Sequence, residues 1–311
     1  MSSPNSGTHH ARHDGELMQQ RSASAQTTLS DGYVSTALNR AGTRQYFDRA
    51  LYPLSGSSSW STSYVTTDSW TTAGIATNDQ LGSSAKWVAY WPRKLYDAST
   101  TCEFAGGVSS NGLSYSSATI SACSLLPPSI AHDPNSGRFV MVWKHFAGDF
   151  NNTGRIYAAT STNGTTWTTP QDLGLHTLDA PSLDCHASTG CVLAYVRGSS
   201  KTPTVVTRKI SVSASTGVVT NGNWTAGLSW VQHTPAVAPY WLPDGVGNQY
   251  LILAQRPTGA QRAQGTGSLL TLTDNTNPPS GSWVNQGVIL KHPTAYAGRR
   301  TSDFGYILTA D

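Results

Sequence analysis

Three groups of side chains in this 311-residue chain are of types that do chemistry, and each recurs at comparable positions. The first is cationic. Arg93, Lys144, Arg197 and Arg256 each stand at or just after the end of an apolar run, and His145 follows Lys144 directly. Cations repeated around one opening would concentrate an anionic ligand, such as a carboxylated sugar, and orient it through charge-assisted hydrogen bonds. A basic residue at a strand end also reaches water with no ligand involved. The second group is imidazole: His176, His233 and His292 each precede a Thr or Pro that opens a new segment. Three neutral imidazoles brought to one point would hold a divalent metal ion; kept apart, each only caps its own strand. The third group is carboxylic. Glu16 and Glu103 are the only glutamates, and the other acids are aspartates. Cleavage of a glycosidic bond by the usual route takes two carboxyl groups about 5–10 Å apart. Asp179 and Glu103 are the best-placed pair, with Asp68, Asp97 and Asp149 as further loop acids. Fixed beside a bonded Cys102, Glu103 would be desolvated and suited to acid duty; a solvated strand-edge carboxylate is the plainer alternative.

The elements that must position these groups are strands. Charged residues make up 12 % of the chain, while Ser, Thr, Gly and Asn are abundant. No segment sustains apolar residues at helical spacing, and none is apolar over the 18 or so residues of a membrane span. The net charge of +3 and the lack of any Lys/Arg block argue against nucleic acid as a partner. Instead the chain repeats. Pro128-Ser129-Ile130-Ala131, Pro181-Ser182-Leu183 and Pro235-Ala236-Val237-Ala238 align at intervals of about 53 residues, the size of a four-stranded propeller blade. After each comes a turn and then an apolar run: Phe139 to Trp143, Val192 to Val196, and Tyr250 to Ala254, with Trp87 to Trp91 one repeat earlier. Runs without polar alternation predict strands buried on both faces. Residues 1–27, polar and aperiodic, read as a disordered tail ahead of a single domain over 28–311.

The outer half of the repeat carries a second signature. Ser109-Ser110-Asn111-Gly112-Leu113-Ser114-Tyr115 and Ser161-Thr162-Asn163-Gly164-Thr165-Thr166-Trp167 each join two strand-like runs through Asn-Gly, a strong hairpin signal. Both resemble the Asp-box turn of sialidase-like propellers, with Asn in place of Asp and one residue fewer. They are similar also to turns of arabinanase-like secreted glycosidases. The resemblance implies an all-β, five-bladed β-propeller, with a truncated or six-bladed ring as the alternative. Blades are expected over 55–123, 124–176, 177–232 and 233–291. A fifth blade would be shared between the two ends: two strands near Tyr33–Leu38 and Arg44–Tyr52, two near Ala295–Ala297 and Phe304–Ala310. In such propellers the loops after the second strand and before the first share one face. That face would gather the cations, the histidines and Asp179 at a central funnel. The sialidase Arg-Ile-Pro signature is absent, and Arg155-Ile156-Tyr157 does not replace it.

The four cysteines pair by position. Cys102 and Cys123 are nearly symmetric about Asn111-Gly112, and Cys185 and Cys191 flank a turn. Residues equidistant from a hairpin turn face each other across the ladder, so the expected bonds are Cys102–Cys123 and Cys185–Cys191. Four reduced thiols are the alternative. Disulfides place the protein in an oxidising compartment, outside the cell, with a leader removed or another export route used. The expected activity is that of a carbohydrate-active enzyme, a glycoside hydrolase acting on a glycan. Two alternatives stay open: a histidine–metal-dependent hydrolase or lyase, and a non-catalytic glycan-binding propeller. A monomer is expected. Trp91, Tyr96, Phe146, Phe150, Tyr240 and Trp241 are candidate sugar-stacking aromatics.

Overall fold

A computed structural model describes residues 17–22, 32–38, 44–51, 61–66, 73–78, 86–93, 103–122, 124–145, 153–178, 180–187, 190–198, 203–224, 238–241, 249–253, 267–272 and 283–290. Among these residues every regular element is a β-strand, and the strands fall into five four-stranded antiparallel sheets. Each sheet takes four consecutive strands in sequence order. The first contains β1 (Leu17–Ser22), β2 (Gly32–Leu38), β3 (Arg44–Leu51) and β4 (Ser61–Thr66). The second contains β5 (Gly74–Thr77), β6 (Trp87–Pro92), β7 (Glu103–Ser109) and β8 (Ala118–Ser121). The third has β9 (Ser129–Asp133), β10 (Arg138–Lys144), β11 (Gly154–Ser161) and β12 (Gln171–Thr177). The fourth has β13 (Ser182–His186), β14 (Gly190–Gly198), β15 (Pro203–Val212) and β16 (Val219–Trp224). The fifth has β17 (Ala238–Trp241), β18 (Gln249–Leu253), β19 (Gly267–Leu272) and β20 (Trp283–Leu290). The chain divides into two compact units, with the boundary inside β9, between Ile130 and Ala131.

The last three sheets match the expected repeats, and the first two correct them. Among the described residues the first sheet contains β1 to β4 and no other strand. It is completed by β1, inside the segment read as a disordered tail, and by β4, which had been counted in the next repeat. Both pairings close only short loops. The expected C-terminal strands lie outside the described residues.

Burial explains the apolar runs. All residues of β6 are buried, as are Phe139 to Lys144 of β10 and Cys191 to Val196 of β14. Each is the second strand of its sheet, flanked on both sides in the ladder and covered on both faces. The fourth strands are more exposed: β8 buries only Ile120, and β12 only Leu173 and Thr177. In the second unit the core joins Val140, Val142, Ile156 and Leu173 to Leu183, Leu193, Tyr195 and Ile210, so the third and fourth sheets pack face to face. In the first unit Phe47, Ile75, Trp87, Ala89 and Trp91 do the same for the first and second sheets.

Side chains seal the edge between the third and fourth sheets. Gln171 of β12 behaves as a strand residue toward β16: its Nε2 donates to the Val219 carbonyl at 2.6 Å and its Oε1 accepts from the Val219 amide at 3.1 Å. Asn221 Nδ2 donates to the Leu173 carbonyl at 2.6 Å, and Thr160 Oγ1 to the Gly217 carbonyl at 2.9 Å. Backbone groups that would be open at a sheet edge are thereby paired.

The two Asn-Gly turns share one hydrogen-bond scheme. Ser161 Oγ accepts from the Gly164 amide at 2.8 Å, and Asn163 Oδ1 accepts from the Thr165 and Thr166 amides at 2.9 and 2.8 Å. Ser109 and Asn111 do the same for Gly112, Leu113 and Ser114, each at 2.9 Å. The third residue beyond Ser must adopt positive φ, 72° at Gly112 and 78° at Gly164, which a side chain disfavours. Tyr115, the aromatic after the first turn, lies on Phe47 of the neighbouring sheet with ring centroids 4.3 Å apart.

Candidate functional site

The strand-end cations occupy equivalent places. Lys144 is the last residue of β10, Arg197 the penultimate residue of β14, and Arg93 follows β6. Their surroundings differ. In the second unit the Lys144 side chain is buried at 8 % exposure, and its Nζ donates to the Leu178 carbonyl at 2.9 Å. The stem passes over Gly154 at the start of β11. A Cβ there would lie 2.7 Å from the Lys144 Cγ and from the His145 carbonyl oxygen, so glycine makes room for the lysine. The Leu178 amide donates in turn to the Val196 carbonyl at 2.8 Å, and Thr177 Oγ1 accepts from the Val196 amide at 3.2 Å. The link from β12 to β13 is therefore held from two sides, by Lys144 at the end of β10 and by the end of β14 beside Arg197. Arg197 itself is exposed. Asp179 comes directly after the clamped Leu178 but lies outside the described residues.

His145 lies at the same strand end, with its amide donating to the Arg155 carbonyl at 2.8 Å and its ring 4.5 Å from that of Tyr157. His176 stands on β12, the edge strand farthest in the sheet from β9. It is exposed and sits opposite Arg155 in the ladder. A bulge after Ile156 brings Asp172 opposite Tyr157, and Asp172 pairs with Arg155 in a short ion pair. Burial pushes the Asp172 carboxyl up. The hydrogen bonds from Arg155 and the Gly174 amide, with the charges of Arg155 and His176, outweigh that and hold it below the ordinary carboxylate value. The same carboxylate bond raises the Arg155 guanidinium above its usual value. Arg155, Tyr157 and Asp172 were not among the sequence candidates. The one available signal was Gly174, since an isolated glycine in a strand-like run marks a bulge.

In the first unit, Arg93 Nη1 and Glu103 Oε1 are 2.6 Å apart, and the Arg93 amide donates to the Glu103 carbonyl at 3.0 Å. Two residues expected to act separately, one on substrate orientation and one on proton transfer, thus engage each other. Trp91 is a core residue at 6 % exposure, packed against Phe47 at 6.1 Å, so it offers no face to a sugar.

Cys185 and Cys191 face each other across β13 and β14 and form the expected disulfide. Cys102, Cys123, His233, Arg256 and His292 lie outside the described residues, as do Tyr96, Phe146 and Phe150. Among the described residues no three metal-ligating side chains come together, and no helix is long and apolar enough to cross a membrane.

No protein-family model matches the sequence, and no curated protein does. Solved structures similar to it include an α-L-arabinofuranosidase from Fusarium graminearum in complex with an iminosugar inhibitor. There the identity is 10 %, with 86 % of this chain and 76 % of that one covered and a TM-score of 0.48. An α-L-arabinanase from Penicillium chrysogenum complexed with arabinobiose is 13 % identical, covering 87 % and 76 %, with a TM-score of 0.45. A mutant apocarotenoid oxygenase from Synechocystis is 11 % identical, with 87 % of this chain covered and a TM-score of 0.44. The chain spans 65 % of that oxygenase's length.

Proposed function

We propose that this chain is a secreted carbohydrate-active propeller, a glycoside hydrolase that binds its glycan where the loops after the second strands meet the loops before the first strands. Five sequential four-stranded sheets supply the repeat such a ring needs. The disulfide suits an oxidising, extracellular setting. The observation that carries the reading is the clamp on Leu178. A buried lysine and the end of β14 grip the peptide immediately before Asp179, with the exposed cation Arg197 alongside. An acid–base carboxyl group must be held in place, and the residue directly before Asp179 in the chain is so held. Asp179 is the carboxyl group this reading assigns to that loop, and Glu103, engaged by Arg93 in the first unit, is the other acid the sequence offers for the reaction. Arg197, Arg256 and His145 orient the substrate, while Lys144 acts through the loop it holds.

The test is a panel of polysaccharides assayed for new reducing ends. Asp179→Asn and Glu103→Gln should each lower turnover about a hundredfold or more, with unchanged thermal unfolding. Unsaturated products would point to a lyase. Stoichiometric metal lost on His176→Ala would point to the histidine-dependent alternative. The engagement of Glu103 by Arg93 favours one second reading, a glycan-binding protein without turnover. Binding of a panel member with no product, unaffected by Asp179→Asn, would establish it.

A further inference from the structure

The sequence holds three Asn-Gly pairs: Asn111-Gly112, Asn163-Gly164 and Asn221-Gly222. Such a pair carries its own hydrolytic chemistry. The glycine nitrogen, unhindered by a side chain, attacks the asparagine amide carbon once its proton has passed to a base in water. The bond from nitrogen to Cγ forms and the bond from Cγ to Nδ2 breaks. Nδ2 leaves as ammonia, taking a proton from water in place of the one given up. Water then opens the five-membered imide to aspartate or isoaspartate, so that one water is consumed and one ammonia released. Closing that ring needs a glycine amide that solvent base reaches and an asparagine amide able to turn toward it.

The two turn pairs are denied both. Gly112 and Gly164 are buried, and their amides donate to Ser109 Oγ and Ser161 Oγ. Asn111 Oδ1 and Asn163 Oδ1 each accept two amides, and the same serine hydroxyls donate to them at 2.8 and 3.1 Å. Asn221-Gly222 stands instead on β16, the edge strand of the fourth sheet, and both residues are exposed. The ladder is interrupted there. Arg208 faces Trp224 and Ile210 faces Asn221, so Gly222 and Asn223 together stand opposite Lys209. Such a bulge leaves one residue out of the ladder and disrupts the pairing around it. Among the described residues the Asn221 Oδ1 has no donor, and only Nδ2 is engaged, on the Leu173 carbonyl across the seam between the third and fourth sheets. Arg208 Nη1 holds the Gly222 carbonyl at 3.1 Å, on the far side of that glycine from the reacting nitrogen. We infer that Asn221 is the site of spontaneous deamidation in the folded protein, and that the two Ser-x-Asn-Gly turns protect Asn111 and Asn163 from the same reaction. The conversion loosens the seam. The product carboxylate, which only accepts, faces the Leu173 carbonyl that Nδ2 had bonded, and isoaspartate adds an atom to the backbone of the strand. Gln171, with its two bonds to Val219, is then left to hold β12 to β16.

Peptide mapping by mass spectrometry tests this on the full chain, held folded in mildly alkaline buffer and sampled over time. The rate at each pair is taken relative to that of the same pair in urea-unfolded chain. On that scale Asn221 should convert at least about tenfold faster than Asn111 or Asn163, the effect of one or more hydrogen bonds that must break before the ring closes. Ser161→Ala should speed conversion of Asn163 severalfold and leave Asn111 at its wild-type rate, which also shows that the variant is folded. Conversion of Asn111 or Asn163 as fast as that of Asn221 in folded wild type overturns the proposal. So does an Asn221 that stays intact in the folded chain while converting in urea. An unchanged rate at Asn163 in Ser161→Ala overturns the protective role of the turn. The effect on the seam is read separately, by hydrogen exchange of Asn221→Asp. Exchange of the β16 amides should rise severalfold over wild type, and equal exchange overturns the loosening.

Discussion

Lys144 and Arg93 hold the same position in successive sheets and lead different lives. Both stand where the second strand hands over to the loop before the third. Lys144 is buried, its stem laid over Gly154 and its ammonium spent on the Leu178 carbonyl. Arg93 has a side chain 53 % exposed and pairs with Glu103, itself 30 % exposed. A repeat therefore delivers a cation to a place, and the neighbours decide what it does there. Where the third strand begins with glycine, the cation folds back and fastens a loop. Where it begins with glutamate, the cation forms a solvent-facing ion pair.

If that contrast is right, the two positions should respond very differently to mutation. Lys144→Met keeps most of the stem but leaves the Leu178 carbonyl without its charged donor. It should cost about 1.5–3 kcal/mol in chemical denaturation, and under the proposed function turnover should fall beyond what stability explains, because Leu178 loses its hold. Lys144→Arg should restore part of both. An unchanged Lys144→Met protein would break the comparison. The disulfide sits at the opposite end of β14 from Arg197 and closes a short loop, with a sequence separation of 6. Cys185→Ser with Cys191→Ser should cost about 2 kcal/mol, little for a disulfide because so few residues are looped. Asn163→Ala removes an acceptor shared by two amides, and should cost about 1–2 kcal/mol in the same assay. Arg93→Ala should lie at the bottom of the scale, at about 0–1 kcal/mol, since an exposed ion pair gains little over water. A loss as large as that of Lys144→Met would equate the two sites.

The Arg155–Asp172 pair sharpens the contrast through pH. The folded protein holds the Asp172 carboxyl below its ordinary value. Its contribution is therefore complete above the carboxylate range of the unfolded chain and disappears as pH falls through the lower folded value. Asp172→Asn should melt lower than wild type at neutral pH, and the gap should close on acidification. A gap that stays constant with pH would show that the ion pair contributes nothing through its charge.

Much of this was readable before any coordinates. The both-face burial of Phe139 to Trp143 and Val192 to Val196 followed from apolar runs without alternation. The Ser-x-Asn-Gly turns followed from the one dipeptide that accepts positive φ so readily, and the Cys185–Cys191 bond from symmetry about a turn. These are local matters, decided by steric limits on a few neighbouring residues or by the period of a single strand. The partnerships were not local. That Lys144 would reach a carbonyl 34 residues away, that Arg93 would meet Glu103, and that β1 would complete the first sheet depend on loop closure and on which strands lie alongside. The chain's own letters set where charges and turns fall. Only the folded arrangement sets which charges meet, because a hydrogen bond needs its partner within about 3 Å and sequence spacing carries no such distance between separate strands.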